Sequence, residues 1–510
     1  LPKKRASKKA PGKSPSGVWP ANPLIYEINV WVWLDELSRN AGKPLTLAQV
    51  PDAVWDDIAA LGFDAVWLMG VWERSPAGIA IANRNPGLRE DFRRSLPDFS
   101  EQDNVGSPYC VRRYVVDAHL GGAKALAQAR SKLAERGLRL ILDYVPNHVA
   151  PDHPWVLEHP EYFIQAREQD LAEAPAAFIP LHGRVFACGR DPYFPAWPDV
   201  LQLNAFSPDL RVATSATLLD IAGQCDGVRC DMSMLLLNDI FRRTWGERAG
   251  LQPALDFWRE VIPVIKNQHP EFLLIAEAYW DLEWELQQQG FDYCYDKRLY
   301  DRLEHGEAAP VKGHLDAELA YQRKLLRFVE NHDEPRAAAT FGPEKARAAA
   351  VAALTLPGAA LVHEGQLEGR RVRVPVFLAR RPEECADNGL RDFYHALLRS
   401  LDTGGYRNGE WRRSDCLGWP DNASHQNLLA WTWTTSDSRL LVVLNLSSNS
   451  AQGLVFNLWP DIGDATWRLC DVVSSAEHIR DGRELLDHGL YVDLPGWGVH
   501  CFEWRKEIES

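Results

Sequence analysis

The sequence predicts an α/β protein: a (β/α)₈ TIM barrel with an inserted subdomain after the third strand and an antiparallel β-sandwich at its C-terminus. Three observations carry this expectation. Eight short runs rich in apolar, β-branched and aromatic residues alternate with helix-forming segments, as a parallel sheet requires. Several of these runs end in polar, chemically capable residues, the property of barrel strands at the face where barrel sites are built. From Asn427 the texture changes to β-rich runs with no helical pattern between them.

Taken in order, residues 24–34 (Ile, Val, Tyr and Trp rich) read as the first strand, a helix follows Pro51 through Leu61, and 63–69 is the second strand. Residues 122–136 are helical by their Ala, Leu, Lys, Gln and Glu content, and 138–144 is the third strand. The Gly, Pro, Asn and Arg rich segment 71–120 is too long for an ordinary connection and reads as a functional loop. A second excursion at 150–204, with Pro, Tyr, Phe and Trp crowded into 192–198, reads as the inserted subdomain. Strands four to eight are expected at 224–230, 272–276, 291–295, 325–329 and 359–362, with a helix at 389–401 closing the barrel. Five runs, at 428–434, 440–446, 453–458, 467–472 and 490–504, supply the sandwich. The resulting division is a disordered basic tail (1–17), a barrel (18–149 and 205–410), the subdomain (150–204) and the sandwich (411–510).

The chain has 510 residues, enough for a large core, and its net charge of −14 opposes the positive field that nucleic-acid phosphates need. No run of eighteen apolar residues exists, so no membrane span is expected. Nine scattered cysteines without a metal-spaced pair read as reduced thiols, which places the chain in the cytoplasm. Twenty Trp and fourteen Tyr are suggestive, because flat rings stack on sugars as well as fill cores, although most of them are expected in the core.

Four stretches hold the candidate chemistry: Asp143, Asn147 and His148 after the third strand; Arg229 and Asp231 at the end of the fourth; Glu277 at the end of the fifth; and Asn331, His332 and Asp333 after the seventh. Arg229 and Asp231 are two apart on a strand and therefore share a face, so the guanidinium can hold the carboxylate ionised. Cys230 between them turns away and reads as packing.

Together the stretches resemble the α-amylase family of glycoside hydrolases: DxxxNH at 143–148, GxRxD at 227–231, Glu277 after a strand and NHD at 331–333, in the family's order. The resemblance implies that Asp231 is the nucleophile, Glu277 the acid/base and Asp333 the third carboxylate that favours the distorted transition state. It implies substrate-binding roles for Tyr109, which stacks on the cleaved sugar, for His148 and His332, which bind its hydroxyls, and for Arg229. Asp143 and Asn147 brace the site. Asn147 matches a calcium ligand of many members, but Met234 and Leu235 stand where those members usually carry Lys and His, which weakens that carry-over; no cofactor is assigned, and calcium is the one candidate left open. Trp72, Tyr193, Phe194, Trp197 and Trp280 are further aromatic candidates for neighbouring sugar subsites.

Retaining glycoside hydrolysis needs one carboxylate to attack the anomeric carbon and a second carboxyl to protonate the leaving oxygen. The expected activity is therefore retaining hydrolysis of α-1,4 bonds in starch- or glycogen-like glucans and maltooligosaccharides, which are also the expected partners. The alternatives are a transglycosylase or small-substrate α-glucosidase on the same residues, and a non-catalytic accessory barrel.

Overall fold

The computed structural model describes residues 17–507, so the tail expected over 1–17 lies, but for Gly17, outside the described residues. Eight strands close into a barrel: β1 (Leu24–Asn29), β2 (Ala65–Met69), β3 (Arg139–Tyr144), β4 (Gly227–Cys230), β5 (Leu273–Ala276), β6 (Tyr293–Tyr295), β7 (Leu325–Arg327) and β8 (Ala359–His363). Each pairs in parallel with its sequence neighbour, and β8 pairs with β1. Strands covered on both faces need no polar alternation, and β1, β2, β4 and β5 are buried at every position. Glycine opens β4 because a Cβ at Gly227 would stand 2.7 Å from the Cβ of Leu273 on β5.

The first strand is shorter than expected. It stops at Asn29, and Val30–Ala41 is a helix that buries Val30, Trp31, Val32, Trp33 and Leu34. An unbroken apolar run carries no period, so it cannot tell strand from buried helix. The segment 71–120 is likewise no irregular loop. Trp72–Arg74 pairs antiparallel with Val111–Val116, and helices Pro76–Arg84 and Pro86–Ser95 lie between. Ser75 and Asn85 cap those helices by accepting backbone N–H groups of Gly78, and of Gly87 and Leu88. Ser-Pro and Asn-Pro at these points are N-cap and first-turn signals present in the sequence.

After β3 the chain leaves the barrel for a five-stranded antiparallel sheet built from His148–Val149, Gln165–Ala166, Phe178–Leu181, Arg184–Gly189 and Trp197–Gln202. A small core of Val149, Phe163, Phe186, Leu201 and Leu203 holds it.

The C-terminal region is an eight-stranded antiparallel sheet: β9 (Glu410–Leu417), β10 (Leu428–Thr434), β11 (Arg439–Asn445), β12 (Ala451–Phe456), β13 (Thr466–Asp471), β14 (Glu477–Asp481), β15 (Leu490–Leu494) and β16 (Val499–Lys506), in the order β14-β13-β16-β11-β10-β9-β12-β15. Alternation in β10 and β11 serves two cores at once. Leu429, Trp431, Trp433, Leu440, Val442 and Leu444 join the barrel core, while Leu428, Ala430, Leu441 and Val443 pack inside the C-terminal region. The indole N–H of Trp433 donates to the Thr355 carbonyl at 2.6 Å, and that of Trp431 to the Thr355 hydroxyl at 3.2 Å. Truncating Trp433 to alanine is expected to destabilise the protein by about 3–5 kcal/mol through the cavity left between the two cores. The check is a lowered urea midpoint seen equally by fluorescence and far-UV circular dichroism.

The nine cysteines are unpaired, and among the described residues no helix is long and apolar enough to cross a membrane.

Candidate active site

Register puts the polar strand ends at one height. Arg229 pairs with Asp143 across β3 and β4, and Cys230 pairs with Ala276 across β4 and β5, so Asp231 and Glu277 are the next residues on adjacent strands. The Glu277 N–H donates to the Cys230 carbonyl at 3.1 Å, and the Asp231 N–H to the Tyr144 carbonyl at 2.8 Å. Asp231, Glu277 and Asp333 then meet at one cavity of about 380 Å³, together with Tyr109, His148 and Trp197.

Arg229 does not line this cavity, and its guanidinium has no exposed surface, but it contacts two of the carboxylates that do. Its Nη1 donates to Asp231 Oδ1 at 2.7 Å, its Nη2 lies 2.8 Å from Glu277 Oε2, and its Nε donates to the Tyr295 hydroxyl at 3.2 Å. The rings of Trp67, Tyr109 and Tyr295 surround its charge at 5.1–5.7 Å. Arg229 was expected to bind substrate. Instead it is fully buried, outside the cavity lining, and contacts the two carboxylates.

Burial lifts the carboxyls of both Asp231 and Glu277, and Arg229 opposes the rise in each. That of Glu277 is pushed up to about 7, with the neighbouring negative charges of Asp231 and Asp333 adding to burial. Asp231 alone takes a direct hydrogen bond from the guanidinium. Such a pair can present one protonated and one ionised carboxyl to the same bond.

Met232 follows Asp231 with φ +44° and ψ +43°, a left-handed conformation that a non-glycine residue rarely adopts. The twist aims its N–H at Glu277 Oε2, 2.6 Å away. His332 is buried and does not itself line the cavity; it contacts Asp333 through Nε2 at 2.9 Å and the buried carboxylate of Glu27 through Nδ1. Burial works against the imidazolium, but Asp333 and Glu27 outweigh it and raise His332 well above the usual histidine range. Asp333, whose side chain is still partly open to solvent, is conversely held at about 2: desolvation by the surrounding chain opposes its charge, and His332 and Arg229 overcome that. The Asn331 side chain fixes this turn by accepting the N–H groups of Asp333 and Glu334 at 2.9 and 2.8 Å.

Tyr109 is half-buried, its ring over Arg229 and its hydroxyl 2.5 Å from His332 Nε2. His148 lines the cavity, packs against the Trp197 ring at 5.2 Å, and is pushed down to about 3 by burial, so it stays neutral. Asp143 is fully buried behind the cavity, accepting from the Trp67 indole at 3.2 Å and the Gly70 N–H at 2.9 Å. Burial raises it to about 6. Asn147 is also buried. Its Oδ1 accepts from Gln202 Nε2 at 2.9 Å, and its Nδ2 donates to Gln202 Oε1 at 3.2 Å. A carboxamide engaged in this way does not fit a calcium ligand set of six or more oxygens, and no cluster of three His, Cys, Asp or Glu suited to a metal occurs among the described residues.

Of the aromatic candidates, Trp197 lines the cavity and Trp72 does not. Trp72 is buried with its indole N–H donating to the Asp143 carbonyl at 2.7 Å. Tyr193 and Phe194 are exposed, and Tyr193 meets Trp280 edge-on at 4.8 Å. The sequence reading missed Glu27, Tyr279 and Phe377. Glu27 was signalled as a lone charge in an otherwise apolar strand, and Tyr279 by its place two residues after Glu277. Phe377 belongs to the chain after β8 and has no local signal. A larger hollow of 660 Å³ on the barrel flank contains Glu36, Glu364 and Arg381, but these are locked into ion pairs with one another.

Comparison with known proteins gives a consistent picture. Residues 55–184 match the model of the α-amylase catalytic domain. An α-amylase, MalA, of Haloarcula japonica is 27% identical over 448 residues, 84% of this chain and 56% of that protein. An α-1,4-glucan:maltose-1-phosphate maltosyltransferase of Rhodospirillum rubrum is 33% identical over 231 residues, 44% of this chain and 27% of that protein. The crystal structure of a noncanonic maltogenic α-amylase, AmyB, from Thermotoga neapolitana superposes with a TM-score of 0.66 at 18% identity, over 95% of this chain and 99% of that one, a likeness of fold. The chain spans about half the length, or less, of the curated relatives it matches.

Proposed function

We propose that the chain is an α-amylase family glycoside hydrolase, in line with its match to that catalytic-domain model and its likeness to α-amylases, and that it hydrolyses α-1,4-glucosidic bonds in starch- or glycogen-like glucans and maltooligosaccharides with retention of configuration. The observation that carries this reading is the single buried guanidinium of Arg229 held between Asp231 and Glu277, two carboxylates that line one cavity.

Asp231, kept anionic by Arg229, attacks the anomeric carbon while the C–O bond to the leaving sugar breaks. The proton of Glu277 passes to the departing oxygen. Water then gives a proton to the Glu277 carboxylate and its oxygen to the anomeric carbon, and Asp231 leaves as a carboxylate. Asp333 and the neutral imidazole of His148 offer hydrogen-bonding groups for the hydroxyls of the ring being cleaved, and the Tyr109 face offers it a stacking surface.

Transfer to a sugar acceptor is the second reading, favoured by the likeness to the maltosyltransferase of R. rubrum. Product analysis on amylose, maltotriose and sucrose, with and without an added acceptor sugar, separates the two. Shortened maltooligosaccharides of retained anomeric configuration are expected. Glucose released from short sugars alone, with amylose untouched, overturns the polymer assignment, and elongated products in the presence of acceptor favour transfer.

A further inference from the structure

Glu277 offers two inequivalent oxygens. Oε2 accepts the Met232 N–H at 2.6 Å and lies 2.8 Å from Arg229 Nη2, so a proton placed there would face two donors. Oε1 meets one partner, the hydroxyl of Tyr279 at 2.9 Å. A phenol hydroxyl both donates and accepts, so Tyr279 can turn with the protonation state of the carboxyl beside it.

The residues that follow Tyr279 are held in place by contacts from elsewhere in the chain. Trp280 and Asp281, which follow it, have φ of +61° and +65°, a pair of left-handed non-glycine residues that surrounding contacts must impose. The Trp280 ring abuts Tyr193 of the inserted subdomain, and Asp281 is ion-paired with Arg298. The groups that face Glu277 are Arg229 and Asp231 from β4 and its end, the Met232 amide, Asp333 from the turn after β7, and Tyr279; Tyr295 of β6 faces Tyr279 in turn. Among the described residues, Tyr279 alone hydrogen-bonds Oε1 of Glu277.

Building on the acid/base role proposed for Glu277, we propose that Tyr279 is a positioning residue that assigns the catalytic proton to Oε1 and steadies the carboxylate formed when that proton has left. In the first half-reaction the Oε1–H bond breaks, the proton goes to the glycosidic oxygen, and the Tyr279 hydroxyl turns to donate to Oε1. In the second, water's O–H bond breaks, its proton returns to Oε1, and the phenol again becomes an acceptor. The hydroxyl thus serves both forms of Glu277, and the base form more strongly, because a hydrogen bond to an ionised acceptor is stronger than one between neutral groups.

Tyr279→Phe tests this. Losing a donor to the carboxylate raises the affinity of Glu277 for its proton, so the alkaline limb of the kcat/KM profile on maltotriose is expected to move up by about one pH unit. Replacing Tyr279 with 3-fluorotyrosine keeps the ring in place, makes the phenol a stronger donor and moves the same limb down. This second protein carries the test if the phenylalanine variant fails to fold. Limbs that coincide with the unmodified protein's in either folded variant overturn the inference. Glu277→Gln run in parallel separates the two levels of argument: if that change leaves activity intact, the assignment of Glu277 fails, whereas unmoved limbs beside an inactive Glu277→Gln protein reject Tyr279 alone.

Discussion

Asp231→Asn is expected to lower turnover on amylose by roughly 10⁴-fold or more, because an amide cannot form the glycosyl ester through which the retaining reaction passes. Binding of maltooligosaccharides should persist, since the cavity walls are untouched. The protein should also stay folded. Burial lifts the Asp231 carboxyl, so its charge is held against desolvation, and asparagine removes that charge while keeping an oxygen for Arg229 Nη1. A steady-state assay beside thermal unfolding checks both halves: activity should vanish with no fall in melting temperature. Near-normal turnover would refute the nucleophile.

Glu277→Gln is expected to cost about 10²- to 10⁴-fold on natural glucans, the range that general acid catalysis contributes. On an aryl glucoside with a leaving group that needs no proton, the first half-reaction should be largely spared and the glycosyl-enzyme should accumulate, since the glutamine cannot activate water. The pH profile supplies an independent check. Activity requires Glu277 protonated, so in the unmodified protein it should fall as pH rises through about 7, and it should fall on the acid side as Asp231 takes up a proton. The alkaline limb should disappear in Glu277→Gln. A profile with a single limb in the unmodified protein would count against this division of labour.

Much of the site is legible along the chain because barrel geometry converts sequence position into place. A residue at the end of an apolar run must lie at one mouth of the barrel, so Asp231 and Glu277 could be named, and each does line the cavity. The shared face of Arg229 and Asp231 follows from strand alternation, and their 2.7 Å contact agrees with it. What escaped has a different physical origin. Trp72 looked like a subsite aromatic because nothing local says that the hairpin of Trp72–Arg74 and Val111–Val116 turns its indole inward to the Asp143 carbonyl. Arg229 looked like a substrate contact because burial depth cannot be read from a strand end.

The sequence by itself determined which side chains reach the barrel mouth, the alternation of strand and helix that closes the barrel, and the β-rich runs of the C-terminal region. These depend on periods of two residues and on runs of apolar side chains, which are local properties. Only the tertiary structure decided the charge states. Glu27 and His332 are 305 residues apart, and Met232 and Glu277 are 45 apart, yet each pair is in hydrogen-bonding contact. Proton affinity depends on desolvation and on charges a few ångströms away, and those neighbours exist only once the barrel has closed.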